Sequence, residues 1–444
     1  MSSCPELFTS ESSNDKIFTD CVIKEKNFEN KTYTKCVFRQ IQFQDCLFKK
    51  VRFIECEFYN VQFGDADFSH AELVETKFKD CNLINACFND ANLTRVDLSD
   101  INLVKVSFIN AILSEADFTE ANLTGENLTG ANLTGANLTE ADLTESKLTG
   151  ANMTEADLTG VDLRRAKMTG AIFTNAYFLS ATFSGSILIH AISNDADLTD
   201  VEFNEVDLTR ANLAGANLHG STLYLAKLID ADLSGANLTR ANLDGANLSR
   251  ANLDGANLTE ADFTRANLDR ANLTGASMYD ATIENGNLTG ANLTRARINV
   301  DFHDVDLTRA NFTNADLSDS DFTGAHFHHT NMTDANLNSA NFSGIPLNGI
   351  DFTGAEFLEA NFTGADFTGA LGVDGALAAS LTNGANLTED DDGANLTGAT
   401  GVLKNESPPV NLSPSYKNIE RCSRGRIRVR RIRVKTVCFG KLLC

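Results

Sequence analysis

An all-β rod built from one repeated unit is the fold the sequence predicts, and three observations predict it. From Phe18 to Ile298 the fifth-position register of large apolar residues is never lost, as in Phe18, Ile23, Phe28, Tyr33, Phe38, Phe43 and Phe48. Two residues before each centre sits a compact inward residue, such as Cys36, Ile41, Cys46, Val51, Cys56 and Val61. Two residues after the centre the chain often carries Gly, with Asn or Asp in its place elsewhere, and Ala131 to Gly135 shows the settled form Ala-Asn-Leu-Thr-Gly.

A period of five fits neither regular element. On an α-helix five residues advance about 500°, so the apolar stripe drifts by about 140° per unit and smears round the cylinder. On a flat strand the centre changes face with each unit. Both inward positions are satisfied every time only if the chain turns a corner in each unit. The Gly two residues past the centre supplies a backbone that accepts positive φ there, and Asn or Asp tolerates it. Outward positions, one before the centre and two after it, take the polar residues, so each turn buries its core only against its neighbours.

Taken in order, the elements vary on this theme. Phe dominates the centres up to Phe88 and Leu from Leu93 to Leu148, a change of filling expected to alter turn type or rod width. Glu126 takes a compact inward position and Ser193 a centre, and each must be hydrogen-bonded or bulged outward to avoid a desolvation cost. Between Ile298 and Phe302 the spacing is four, after which Leu307, Phe312, Leu317 and Phe322 resume the period. A tightened corner, and with it a kink, is expected there. After Phe367 the order decays, with isolated units around Leu387 and Leu396.

The pattern closely resembles the pentapeptide-repeat family, whose unit reads Ala-(Asp/Asn)-Leu-x-x with the central Leu or Phe inward. The resemblance implies a right-handed quadrilateral β-helix with four units per coil, about 18 coils here. The ten-residue recurrence of Cys over 36 to 56 fits an even number of faces. The expected organisation is an N-terminal cap or disordered lead over 1–15 and a β-helix over 16–369 with the kink near 298–302. Degenerate repeats and a linker follow over 370–415, then a basic, unstructured tail over 416–444. The core column of the rod is expected to include Phe38, Phe58, Phe78, Leu98, Phe118, Leu138 and Leu158.

The formal charge is −23. From Tyr416 to Cys444 ten basic residues face one acidic residue, Glu420, a local +9 that leaves −32 on the preceding residues. Such a body repels phosphate backbones and suits a basic partner, and the tail could fold back on it. No apolar run follows Met1 and no stretch approaches a membrane span, so a cytoplasmic protein with mostly reduced thiols is expected. The many Asn-x-Thr triplets arise from the repeat itself. No phosphate loop or His-Glu-x-x-His motif is present, and the His326, His328, His329 cluster lies at outward positions. Neither catalytic residues nor a cofactor or metal is expected.

The family resemblance supplies the sharper functional alternative. Some members resemble duplex DNA in size and charge and bind DNA gyrase, since carboxylates along a rod can replace phosphates in a basic groove. With four units per coil, residues twenty apart share a column, and one face gathers Asp97, Asp117, Asp157 and Asp197 beside Asp100, Glu120, Glu140 and Asp200. The default reading is an elongated protein-interaction scaffold or structural rod, its partner and oligomeric state open. The length, the uninterrupted register and the absence of an apolar C-terminal dimerising helix depart from the gyrase binders. Arg240, Arg250, Arg265 and Arg270 interrupt the acidity further along. Nucleic-acid contact is expected only through the basic tail.

Overall fold

The computed structural model describes residues 11–362, 365–367 and 369–372. Each five-residue unit contributes one short extended stretch and one corner. The strand Thr32–Thr34 pairs in parallel with Ser12–Asn14 on one side and Arg52–Ile54 on the other, setting Tyr33 opposite Ser13 and Phe53. The same offset of twenty recurs at Val37↔Glu57, Gln42↔Gln62 and Leu47↔Asp67. Four units therefore close one four-sided coil. From Ser12 to Leu371 an unbroken column of parallel pairs advances 359 positions, in seventeen steps of twenty and one of nineteen. At about 4.8 Å per stacked strand, eighteen such steps give a rod about 86 Å long. The ladder begins at Ser12–Asn14, so the coil takes in residues assigned above to the N-terminal cap.

The inward columns form the core. Phe38, Phe58, Phe78, Leu98, Phe118, Leu138 and Leu158 are all buried, one above another. Among the aromatic coils the rings stack face to face at the coil spacing, Phe38 on Phe58 at 4.7 Å and Phe58 on Phe78 at 5.0 Å between centroids. At the corners positive φ is not confined to Gly, Asn and Asp: Lys35 (53°), Glu120 (56°) and Arg240 (60°) adopt it too. A side chain there costs roughly 1–2 kcal/mol. Hydrogen bonds offset it, since the Glu120 amide donates to Thr139 O at 2.9 Å and the turn closes from Ala121 N to Phe118 O at 2.9 Å.

The first coils close their corners differently. No turn bond ends at Cys36, Cys46 or Cys56 among the described residues, and the units before them are three-residue strands, such as Thr32–Thr34. The carbonyls left open find donors one coil further on. Cys46 Sγ donates to Ile23 O at 3.6 Å, Cys56 Sγ to Tyr33 O at 3.3 Å, and Thr76 Oγ1 to Phe53 O at 2.9 Å. The compact cysteines are thus donors as well as small apolar fillers. Cys36, Cys46, Cys56, Cys81 and Cys87 carry free thiols, whereas Cys21 is disulfide-bonded.

The four-residue spacing has the same chemistry. Tyr279 pairs with Asn299 but Thr282 with Asp301, so the residue lost is the corner one, the position Asp280 holds at φ 55° in the preceding coil. The Ile298 carbonyl at this shortened corner accepts the Ser320 hydroxyl at 3.3 Å. The two polar residues noted above at inward positions behave differently. Ser193 stays buried at its centre and keeps the backbone ladder, its amide donating to Asn212 O at 2.8 Å as the apolar centres do. Glu126 turns its carboxylate to the Lys105 amide, accepting at 2.5 Å. The degenerate units around Leu387 and Leu396 and the basic tail lie outside the described residues.

Candidate interaction face

The column expected to carry carboxylates is a real ladder: Asp97 pairs with Asp117, and onward through Asn137, Asp157, Tyr177 and Asp197 to Asn217. Its carboxylates are held from within the repeat. Asp117 Oδ1 accepts from Thr119 N at 3.0 Å and Thr119 Oγ1 at 2.6 Å, and Asp157 and Asp197 accept from Thr159 N and Thr199 N in the same way. One oxygen of each is therefore fixed and the other is free to face outward.

The neighbouring corner column sets Asp100, Glu120, Glu140 and Asp200 at positive φ, where the side chain points away from the coil. All four are exposed, and no side-chain hydrogen bond or ion pair engages them among the described residues. Some other corner carboxylates are neutralised. Arg95 bridges Glu75 at 2.9 Å and Glu115 at 3.0 Å on one edge, and Arg250 holds Asp230 at 2.7 Å on another. Of the four arginines expected to interrupt the acidity, only Arg240 stands in the corner column of the acidic face, where it pairs with Glu260 at 2.8 Å. Arg250 and Arg270 share the edge of Arg210, and Arg265 lies on a third, paired with Asp244.

The eight carboxylates do not form one continuous strip. Gly160 and Ser180 break the corner column, and Tyr177 breaks the ladder between Asp157 and Asp197. Beside Tyr177, across the centre Phe178, stands Leu179; the two are 61% and 62% exposed. Sequence reasoning missed Leu179. The available signal was the charge pattern, because residues 168–194 contain no Asp, Glu, Lys or Arg. That run exceeds one coil, so an uncharged ring girdles the rod and its outward residues include Ile172, Ile187, Ile189 and Ile192.

Elsewhere the surface offers little convergence. His326, His328 and His329 are all exposed, and no group of three potential metal ligands converges among the described residues. A depression is lined by Thr144, Arg164, Arg165, Ser184, Asn204 and Glu205. Among the described residues no helix is long and apolar enough to cross a membrane.

Coils of four units in parallel register, with function left to the outward side chains, define a β-solenoid repeat protein. The chain belongs to the pentapeptide-repeat family: the model of pentapeptide repeats matches in successive copies between residues 62 and 295, and a pentapeptide repeat region matches 297–371. Among solved structures it is similar to HetL, a pentapeptide repeat protein involved in heterocyst differentiation regulation from the cyanobacterium Nostoc sp. strain PCC 7120. That match is 26% identical, covers 56% of this chain and 89% of the other, and has a TM-score of 0.17. QnrB1, a plasmid-mediated fluoroquinolone resistance protein, is 21% identical over 52% of this chain and 90% of its own, with a TM-score of 0.21. No curated protein matches.

Proposed function

We propose that the chain is a non-enzymatic, cytoplasmic interaction scaffold, a rod that takes a basic protein partner on the face from Asp97 to Asp200. The observation that carries this reading is the set of unpaired corner carboxylates, Asp100, Glu120, Glu140 and Asp200, gathered on one edge of the rod. Carboxylates lacking internal partners accept an incoming cation without first giving up an ion pair. Capture of partners by the purified rod is expected to be strong at low ionic strength and steeply lost as salt rises. A variant with Asp97, Asp117, Glu120 and Glu140 changed to Asn or Gln should lose the same partners. Identical capture by both proteins at every salt concentration would remove the face from the function.

A second reading has its own supporting observation: Asp100, Glu120 and Glu140 occupy three successive coils on one edge, a regular line of negative charge. It makes the rod a DNA mimic for a DNA-handling enzyme such as DNA gyrase. A supercoiling assay decides it. Inhibition at micromolar protein, relieved in the charge-neutral variant, supports mimicry; no inhibition by the folded rod leaves the scaffold.

A further inference from the structure

The acidic face carries an apolar break of unusual placement, and the chain contains a segment that matches both. Arg424 to Lys435 reads Arg-Gly-Arg-Ile-Arg-Val-Arg-Arg-Ile-Arg-Val-Lys. In an extended chain alternate residues share a side. The doubled Arg430-Arg431 changes the phase of the alternation, so one side would present Ile427 and Val429 followed by Arg431, Arg433 and Lys435. Descending the face from the C-terminal end of the rod, the order is the same: the exposed Tyr177 and Leu179, then Asp157 and Glu140, Asp117 and Glu120, Asp97 and Asp100.

We propose that Arg424–Lys435 docks intramolecularly along this face, Ile427 and Val429 against Tyr177 and Leu179, and the three following cations along the carboxylates down to Asp97. Three features support the fit. From Val429 to Lys435 an extended chain spans about 20 Å, and the four coils from Tyr177 to Asp97 span about 19 Å. The direction is right, because the described coils end at Leu371, above Tyr177, so a tail running down the face would meet Tyr177 before Asp97. Reach is ample: Tyr177 lies nine coil steps below Glu356 in its own column, about 43 Å, whereas the residues from Gly372 to Ile427 can extend to well over 100 Å.

Docking covers the carboxylates that the proposed partner would use, so the tail is a built-in competitor for that face. It needs only the face itself, whether or not such a partner exists. Salt screens the cations, while the apolar pair fixes the register.

The test is carbodiimide cross-linking of the full-length protein at low salt and high dilution, with the cross-linked peptides identified by mass spectrometry. Lys435 is expected to join Asp97 or Asp100 in a monomer. The R431Q/R433Q variant should lower the yield of that cross-link roughly tenfold, as should wild type at high salt. The Y177S/L179S variant leaves every charge in place and is also expected to lose it, which separates a registered site from diffuse attraction. Cross-links scattered over carboxylates on all four sides, an unchanged yield in Y177S/L179S, or a product found only between two chains would each overturn the proposal. The far-ultraviolet circular dichroism of both variants, matched to wild type, guards against reading an unfolded rod.

Discussion

The coils whose centres are dominated by Phe, up to Phe88, and those dominated by Leu, from Leu93 to Leu148, share one register, yet the second add a further way of stitching neighbouring turns together. In the first, outward charges pair across the coil step: Lys35 with Glu55 at 3.6 Å and Arg52 with Glu72 at 2.6 Å. In the second and beyond, charges still pair across the step, as Arg95 does with Glu115 at 3.0 Å, and amides and hydroxyls join them. Asn137 Nδ2 donates to Thr119 Oγ1 at 2.8 Å, and further along Asn237 donates to Asn217 and Asn272 to Asn252. A neutral ladder holds the coils without consuming charge. Beside the Asn137–Thr119 bond, Glu120 and Glu140 are left for the solvent or a ligand.

The comparison can be broken first in the core. Phe58→Ala removes a ring stacked between Phe38 and Phe78 and is expected to cost about 3–5 kcal/mol, whereas Leu138→Ala should cost about 2–5 kcal/mol. Because each coil leans on its neighbours, hydrogen exchange should show protection lost mainly around the substituted coil in each case. Uniform loss along the rod would mean that the two fillings behave as one cooperative unit.

A smaller effect separates open corners from closed ones. Thr76→Val deletes the hydroxyl that serves the Phe53 carbonyl and should destabilise by about 1 kcal/mol. Ser146→Ala is the contrasting change, since the Ser146 hydroxyl is buried without a partner, and it should be neutral or stabilising. Chemical denaturation of the two variants measures both; equal losses would show that the carbonyl in the open corner gains nothing from its donor.

The smallest effect is a pH dependence. Burial holds the Glu126 carboxyl above its ordinary value, against the opposing pull of the Lys105 amide and Lys147. The folded chain therefore binds that proton more tightly than the unfolded chain. Its contribution to stability is fully present below the ordinary carboxyl value and is lost as pH rises through the folded value. Glu126→Gln keeps a carbonyl acceptor for Lys105. Relative to wild type, it should gain stability between about pH 4 and 7. Parallel melting curves across that range would count against it.

Much of this architecture was legible in the repeat. The inward columns, the corner at every fifth residue and the face shared by Asp97 and Asp117 follow from period and polarity, once four units per coil is taken from the resemblance. Two features were not legible, and a third was overlooked. The donor role of Cys46, Cys56 and Thr76 depends on which corners lack a turn bond, a property of backbone geometry that composition does not encode. The rescue of Glu126 depends on an amide twenty-one residues away. The division of the acidic face by Leu179 was in principle visible, because a stretch without charge longer than one coil must encircle the rod.

The twenty-residue step also limits how such a surface can change through time. Duplicating or deleting a whole coil lengthens or shortens the rod while every downstream side chain keeps its compass bearing. Gaining a single five-residue unit leaves the core intact but turns everything beyond it through a quarter circle, which would carry Asp197 and Asp200 to a different side from Asp97. A partner-binding face on such a rod would therefore change in quanta of four repeats, although the fold alone would accept one.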